Sequence, residues 1–109
     1  MRDTVEAWRR AWEGKDVEGY LVHYDAEFQG DGRDLAGWAA HKRRVFARAG
    51  RIRVEVRSLE VVTEGERAFA RFEQRYRSGR YADRGRKTLE FVRRDGRYRI
   101  RRETFAADG

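Results

Sequence analysis

In the second half of the chain, apolar or aromatic residues alternate with charged residues, most of which are arginine. Alternation with a period of two is typical of a strand that buries one face and exposes the other. Between residues 72 and 103 the pattern passes through two hairpins, and Asp95-Gly96 supplies the turn residues that a tight antiparallel connection favours. The pattern predicts an antiparallel sheet with one buried face and one densely cationic face.

Four strands are expected in this half of the chain. A change of phase between Val56 and Leu59 predicts a bulge near Ser58 that bends the sheet, and Glu64-Gly65 supplies the next turn. Read by alternation, the inner positions of the strands are Ile52, Val54, Val56, Leu59, Val61, Ala68, Ala70, Phe72, Gln74, Tyr76, Leu89, Phe91, Tyr98 and Ile100.

The first half of the chain has helical spacing instead. Asp3 and Glu6 are spaced as in a capping box, and Gly14 is placed to end the first helix in the left-handed conformation. Asp16 and Asp34 are placed to cap two further helices. The three apolar stripes are Val5, Trp8 and Trp12, then Val17, Tyr20, Leu21 and Tyr24, and finally Leu35, Trp38, Val45 and Ala49, with His41 or Lys42 between them.

A brief strand over Glu27-Phe28-Gln29 is expected between the second and third helices, and Gly50 is a suitable residue to follow the third helix. These elements predict three N-terminal helices packed on a strongly bent, mainly antiparallel sheet. The fold class is α+β, and residues 1–109 are expected to form a single cone-shaped domain with room for a cavity.

Cysteine is absent and there are only two histidines, which excludes disulfides, thiolate nucleophiles and cysteine-ligated zinc. His23, His41 and the scattered carboxylates show no recognised metal spacing, and the glycines lie at hairpins rather than in a phosphate-binding loop. We therefore expect no metal and no cofactor.

No apolar run approaches the roughly 20 residues of a membrane span, and Met1-Arg2-Asp3 opens an amphipathic pattern rather than a signal peptide. A cysteine-free domain suits the cytosol and the periplasm equally, so the compartment is left open; as given, the sequence is expected to be cytoplasmic and without a membrane span. If the domain is excised from a larger parent protein, the periplasm or cell envelope is the expected compartment.

Charge is unevenly distributed along the chain. Residues 1–50 sum to zero, so the whole net charge of +7 lies in the strand half, and 23 of the 26 cationic residues are arginine. Arginine favours bidentate contacts with carboxylate or phosphate. The predicted polyanion-binding surface consists of Arg75, Arg77, Arg80, Arg84, Arg86 and Lys87.

Two other readings of this charge stay open. Arginines on a solvated sheet face need no ligand when they pair across strands with glutamates, here Glu55, Glu73, Glu90 and Glu103. Arginine interleaved with Tyr76 and Tyr81 also suits nucleic acid, but no known nucleic-acid-binding motif is present. We expect salt-sensitive nonspecific attraction rather than specific nucleic-acid binding.

The order of elements and several short motifs resemble the nuclear-transport-factor-like superfamily, which includes ketosteroid isomerases and polyketide cyclases. The motifs are Ala11-Trp12, Asp16-Val17, Tyr20-Leu21, Phe28 and the segment from Gly96 to Ile100. A narrower block, from Arg75 to Leu89, is similar to the small C-terminal module of bacterial L,D-transpeptidases and some tetratricopeptide-repeat envelope proteins. Tyr98 stands where such modules often have tryptophan. This resemblance implies a non-catalytic accessory or self-association role in the cell envelope.

The superfamily also implies an alternative, a small-molecule-binding enzyme of the isomerase or cyclase type that uses the interior of the cone. His41, with Asp25 or Tyr24 as partner, is then the candidate acid–base group. A histidine between apolar positions is more often a half-buried structural residue. The predicted pocket residues are Tyr20, Tyr24, Trp38, His41, Phe72, Gln74 and Tyr76.

The outer face of the predicted sheet indicates possible binding partners. Phe69 and Val92 fall on the outer side of the predicted sheet, and an exposed sheet face tends to be covered, which predicts a homodimer. An anionic polymer or an envelope protein is the expected further partner.

Overall fold

The computed structural model describes residues 1–108 and has the predicted order of elements. The helices are α1 (Arg2–Glu13), α2 (Val17–Leu21) and α3 (Leu35–Arg48), and the strands are β1 (Tyr24–Gly30), β2 (Arg33–Asp34), β3 (Ile52–Glu64), β4 (Arg67–Ser78), β5 (Tyr81–Arg94) and β6 (Arg97–Ala107). The two-residue strand β2 was not predicted. Within residues 1–108, no helix combines the length and the apolar character that crossing a bilayer requires.

All six strands form one sheet in the order β2-β1-β6-β5-β4-β3. Neighbouring strands are antiparallel except β1 and β6, which run parallel, so the sheet is mixed. The predicted α+β class, with three helices and a mainly antiparallel sheet, is confirmed.

The helix caps are partly as predicted. Asp16 accepts a hydrogen bond from the Gly19 N–H at 3.0 Å, and Asp34 accepts one from the Gly37 N–H at 2.9 Å. The predicted capping box at the start of α1 was wrong, because this helix begins at Arg2 without a side-chain cap. Gly14 also keeps a right-handed conformation, and the residue with positive φ is Lys15.

Two bulges set the faces of the sheet. The predicted one is present, since Ser58 has φ 56° and the β3–β4 register shifts between Arg57 and Glu60. A second bulge was not predicted: Glu90 pairs with Arg102 but Phe91 pairs with Ile100, which leaves one extra residue in β6. That extra residue reverses the alternation, so the positions after it turn to the opposite face.

The core lies between the helices and the inner face of the sheet. Tyr24 belongs to β1 rather than to the second helix, and Phe46 rather than Val45 is the buried residue near the end of α3. Aromatic rings fill the interior at centroid distances of 5.0–6.3 Å. These rings are Trp8, Trp12, Tyr20, Tyr24, Phe28, Trp38, Phe46 and Phe72. Tight ring packing provides most of the apolar area that stabilises this interior.

Candidate functional site

A buried ion pair lies at the centre of the inner sheet face. Lys87 on β5 and Glu103 on β6 place Nζ and Oε2 2.6 Å apart, and their side chains are 6% and 2% exposed. Both residues stand on inner positions, Lys87 by simple alternation with Leu89 and Glu103 because the β6 bulge reverses the alternation. Lys87 was predicted to lie on the outer polyanion-binding surface and Glu103 on the solvated face; both predictions were wrong.

Tyr24 links this ion pair to the helices. Its hydroxyl donates to Glu103 Oε1 at 2.7 Å, accepts from the Trp8 indole N–H at 3.0 Å, and lies 2.7 Å from the Tyr20 hydroxyl. Burial, together with the negative charge of Glu103, raises the pKa of Tyr20 and of Tyr24 well above 10. Both phenols therefore stay neutral and serve as hydrogen-bonding groups that hold the carboxylate.

Lys42 brings a second ammonium to the same interior. Its Nζ lies 4.7 Å from the centroid of the Trp38 ring and 5.0 Å from that of Trp12, a cation–π geometry on both sides. Lys87 Nζ lies 5.5 Å from the centroid of the Trp12 ring. Burial lowers the pKa of Lys42 to about 8, because the negative charge of Glu103, which raises it, is outweighed by burial together with the positive charges of Lys87 and Arg33.

Several polar atoms in this region have no partner within residues 1–108. They include the indole nitrogen of Trp12 and the side-chain oxygen of Gln74, and both atoms are buried. Buried polar atoms are normally hydrogen-bonded, so such atoms leave capacity for a bound group. We call Tyr20, Tyr24, Lys42, Lys87 and Glu103, with the tryptophans around them, the interior cluster.

The outer face of the sheet carries a groove of about 710 Å³ over β3, β4 and β5. Cross-strand register places Arg75 between Glu55 and Arg84, and Arg77 between Arg53 and Ala82. We call this surface the arginine groove; its lining is Arg53, Glu55, Arg75, Tyr76, Arg77, Ala82, Asp83 and Arg84.

The remaining members of the predicted polyanion-binding surface lie around this groove. Arg80 is exposed in the turn between β4 and β5, and Arg86 is exposed opposite Glu73 on β4. The register therefore places Arg75, Arg77, Arg84 and Arg86 on the outer face of the sheet, Arg80 is exposed in the adjoining turn, and Lys87 alone of the predicted set is in the interior.

The candidate catalytic side chains have different surroundings. Asp25 is buried, and its carboxylate accepts hydrogen bonds from Arg94 Nε and from the Glu27 N–H, both at 3.0 Å. His41 is half-buried, and its pKa is lowered by burial and by the positive charges of Arg33 and neighbouring residues. No hydrogen bond joins His41 to Asp25 or Tyr24 in the described chain, and residues 1–108 contain no group of three metal-binding side chains.

The predicted pocket residues do share one region. Tyr20, Tyr24, Trp38, Phe72 and Gln74 are buried against one another, with half-buried His41 beside the Trp38 ring at 6.4 Å between centroids. Half-buried Tyr76 stacks on Trp12 at 5.3 Å. The sequence reasoning treated these residues as a pocket lining, and the structure shows their rings packed around the interior cluster.

The charged groups of that cluster were missed as interior residues. Lys42 follows Trp38 by one helical turn, and Lys87 alternates with Leu89 and Phe91, so both positions could have been assigned to the inner side from periodicity alone. Glu103 could not, because its orientation depends on the unpredicted bulge in β6.

Three helices packed over one mixed six-stranded sheet are consistent with an NTF2-like domain, the class that the matching family model gives. The chain belongs to the Cds6 C-terminal NTF2-like domain family, whose profile matches residues 1–104.

Among solved structures, Bd1075 of Bdellovibrio bacteriovorus is similar with 31% identity and a TM-score of 0.92, over 96% of this chain and 38% of Bd1075. Pgp2, a helical cell shape determining protein of Campylobacter jejuni, is similar with 25% identity and a TM-score of 0.76, over 93% of this chain and 38% of Pgp2. An NTF2-like protein of unknown function from Pseudomonas putida has 20% identity and a TM-score of 0.88, over 98% of this chain and 83% of that one.

The chain thus spans 38% of the length of both Bd1075 and Pgp2. The search of curated proteins found no match.

Proposed function

We propose that this domain is a non-catalytic binding module that holds an anionic polymer in the arginine groove, as an accessory part of a bacterial cell-envelope protein. The observation that carries the proposal is that several guanidinium groups in this groove have no ion-pair partner. Within residues 1–108, Arg53, Arg75 and Arg77 form no ion pair, although Glu55 and Asp83 line the same groove.

Unpaired guanidinium groups in a shallow groove favour an external anion. Glu55 is 3.3 Å from Arg57, and the Asp83 carboxylate accepts a hydrogen bond from the Tyr81 hydroxyl at 2.7 Å. The acidic side chains are therefore turned to other partners. The carboxylates or phosphates of a polymer can contact several of these arginines at once, and each guanidinium group can form a bidentate contact.

Two further observations support an accessory role. The similar region of Bd1075 and of Pgp2 is 38% of each longer chain, and Pgp2 is named for determining helical cell shape. That this chain belongs to a cell-envelope protein is itself part of the proposal.

The test is retention on a polyanion column. Replacing Arg75, Arg77 and Arg84 with glutamine should lower the salt concentration needed for elution, because three contacts to the polymer are lost. The matched control replaces Arg44, Arg48 and Arg51, which are exposed and lie outside the groove, and removes the same charge. Equal losses in both variants would mean that net charge alone attracts the polymer, and the proposal would fail.

Self-association is the second binding role that the outer face supports. On that face, Val62 of β3 pairs with Phe69 of β4, and Val62 is 53% exposed. Val92 lies on the neighbouring strand β5, in the next row of outward-facing positions. An exposed apolar group on a sheet face favours a covering partner. Light scattering at high protein concentration tests this, and a strictly monomeric profile together with an unchanged profile for Val62→Ser would reject the homodimer.

A small-molecule role of the isomerase or cyclase type remains the alternative, and the interior cluster is the observation that favours it. It combines two lysines, a carboxylate and the unpartnered indole N–H of Trp12. Loss of turnover in Tyr24→Phe, a variant within the interior cluster, with the fold preserved would support that alternative over the binding module.

A further inference from the structure

A small pocket lies on the outer face of the sheet, at the bulge in β6. Its volume is about 190 Å³, below the roughly 300–1,000 Å³ of sites that hold drug-sized ligands. It shares no lining residue with the arginine groove, so the two sites are separate. The pocket therefore fits one small chemical group rather than a length of polymer. Its lining comes from the neighbouring strands β4, β5 and β6 and includes Arg67, Phe69, Glu90, Val92, Arg101 and Arg102.

The bulge brings an additional arginine to this pocket. Glu90 pairs with Arg102 and Phe91 pairs with Ile100, so Arg101 is the residue of β6 that has no partner on β5. Ile100 is buried, Arg102 is exposed, and Arg101 is half-buried between them. Bulges recur beside functional sites because they change the direction of a side chain. Here the bulge lets two consecutive arginines line the same pocket.

Two of the three guanidinium groups in the pocket have no partner. Arg102 Nε lies 3.6 Å from Glu90 Oε2. Within residues 1–108, Arg67 and Arg101 form no ion pair, and the Nη1 atom of Arg101 is buried without a hydrogen-bond partner. The pocket thus holds two positive charges that no carboxylate of the described chain neutralises.

The carboxylate on the other side of β6 is already engaged. Asp25 stands on β1, the strand next to β6, and accepts hydrogen bonds from Arg94 Nε and from the Glu27 N–H, both at 3.0 Å. A partly desolvated cation without a counter-charge costs free energy, and a bound anion removes that cost. The arrangement around Arg101 therefore favours an anion from outside the chain.

We propose that this pocket binds a phosphate group, either as free phosphate or as a phosphomonoester. A phosphate group carries about −1.5 to −2 charges at pH 7, which matches the two unpaired guanidinium groups of Arg67 and Arg101, whereas a carboxylate would neutralise only one. Guanidinium groups form bidentate contacts with phosphate oxygens. Half-buried Phe69 and Val92 line the same pocket and reduce the water around these contacts, which strengthens them. The inference does not depend on the arginine groove.

The test is an NMR titration of the isotope-labelled protein with sodium phosphate, with the ionic strength held constant by sodium chloride. We expect the amide signals of Phe69, Glu90 and Arg101 to shift and to saturate with one common dissociation constant. Arg101→Gln should raise that constant on the order of 10-fold or more, because a hydrogen-bonded charge is lost. The matched control is Arg48→Gln, which removes the same charge from an exposed position outside the pocket and should bind as the wild type does.

Two further titrations define the ligand. Glycerol phosphate distinguishes the source: tighter binding than that of inorganic phosphate would assign a phosphomonoester, and weaker binding would assign free phosphate. Acetate at the same concentrations should leave the pocket signals almost unchanged. If Arg101→Gln does not fold, Arg67→Gln, at an exposed position, tests the same pocket. Shifts that do not saturate, an equal response to acetate, or equal losses in the pocket variant and in Arg48→Gln would overturn the proposal.

Discussion

The two faces of the sheet treat charge in opposite ways. On the outer face, the arginines of β4 and β5 are exposed or half-buried beside glutamates, and Arg75 and Arg77 form no ion pair within residues 1–108. On the inner face, Lys87 and Glu103 are in contact at 2.6 Å. Water screens the outer charges, so each contributes little to stability, whereas a buried charge that loses its partner is left uncompensated.

This contrast between the two faces separates the charged residues that can contact other molecules from those that stabilise the fold. An outer arginine can be exchanged at small cost in stability, and its contribution is to contacts with other molecules. An inner charged residue cannot be exchanged alone, because its partner, its hydrogen-bonded tyrosine and the surrounding rings depend on it. The following predictions test this contrast, beginning with the largest effect.

Removing Glu103 should be the most destabilising of these changes. Glu103→Ala leaves the Lys87 ammonium buried without its carboxylate and leaves the Tyr24 hydroxyl without its acceptor. We expect the free energy of unfolding to fall by about 3–5 kcal/mol. Urea denaturation followed by tryptophan fluorescence measures it.

The matched control for this prediction replaces the whole pair. The double variant Lys87→Met and Glu103→Leu removes both charges and keeps apolar volume, so most of the stability should return. A single-variant loss below about 1 kcal/mol would mean that the pair is hydrated in solution, and the contrast between the two faces would be incorrect.

The fold could largely be predicted because its signals are local. Asp16 and Asp34 cap their helices through contacts three residues away, and alternation places Phe72 and Leu89 on the inner face of their strands. These patterns depend on backbone geometry, which the sequence determines over a few residues. The bulge near Ser58 was readable for the same reason, as a change of phase in the alternation.

The interior cluster could not be predicted in the same way. Glu103 points inward because β6 contains one extra residue. That residue is evident from the pairing of β6 with β5, but not from the composition of the segment. The partnership between Asp25 and Arg94 joins residues that are distant in sequence. Long-range polar contacts of this kind follow from the register of the sheet, so the sequence alone presents Asp25 only as a candidate partner of His41.

Tyr24→Phe should have the next largest effect. The substitution keeps the ring and removes the hydroxyl that contacts Glu103, Trp8 and Tyr20. We expect a loss of about 1–3 kcal/mol in the free energy of unfolding, because a buried carboxylate oxygen and an indole N–H lose their partner. Tyr98→Phe is the control, since the Tyr98 hydroxyl makes one exposed hydrogen bond of 3.3 Å. Similar losses in both variants would show that the inner network has no special role.

Asp25 lies between the two extremes, because its carboxylate is buried but its partner Arg94 is about half exposed. Burial acts to raise the pKa of Asp25, but the hydrogen bonds from Arg94 and the Glu27 N–H outweigh it and lower the pKa. A lowered pKa in the folded state stabilises the protein above the unfolded value near 3.9, and this stability is lost as pH falls through the folded value. Asp25→Asn should therefore lower the free energy of unfolding by about 1 kcal/mol at neutral pH, and the difference from wild type should shrink below about pH 4.

Urea denaturation from pH 7 to pH 3 measures this difference, with Arg94→Gln as the variant that should remove the same pH dependence. A difference that stays constant over this range would mean that Arg94 does not hold the Asp25 carboxylate in solution, and Asp25 would then resemble the residues of the outer face.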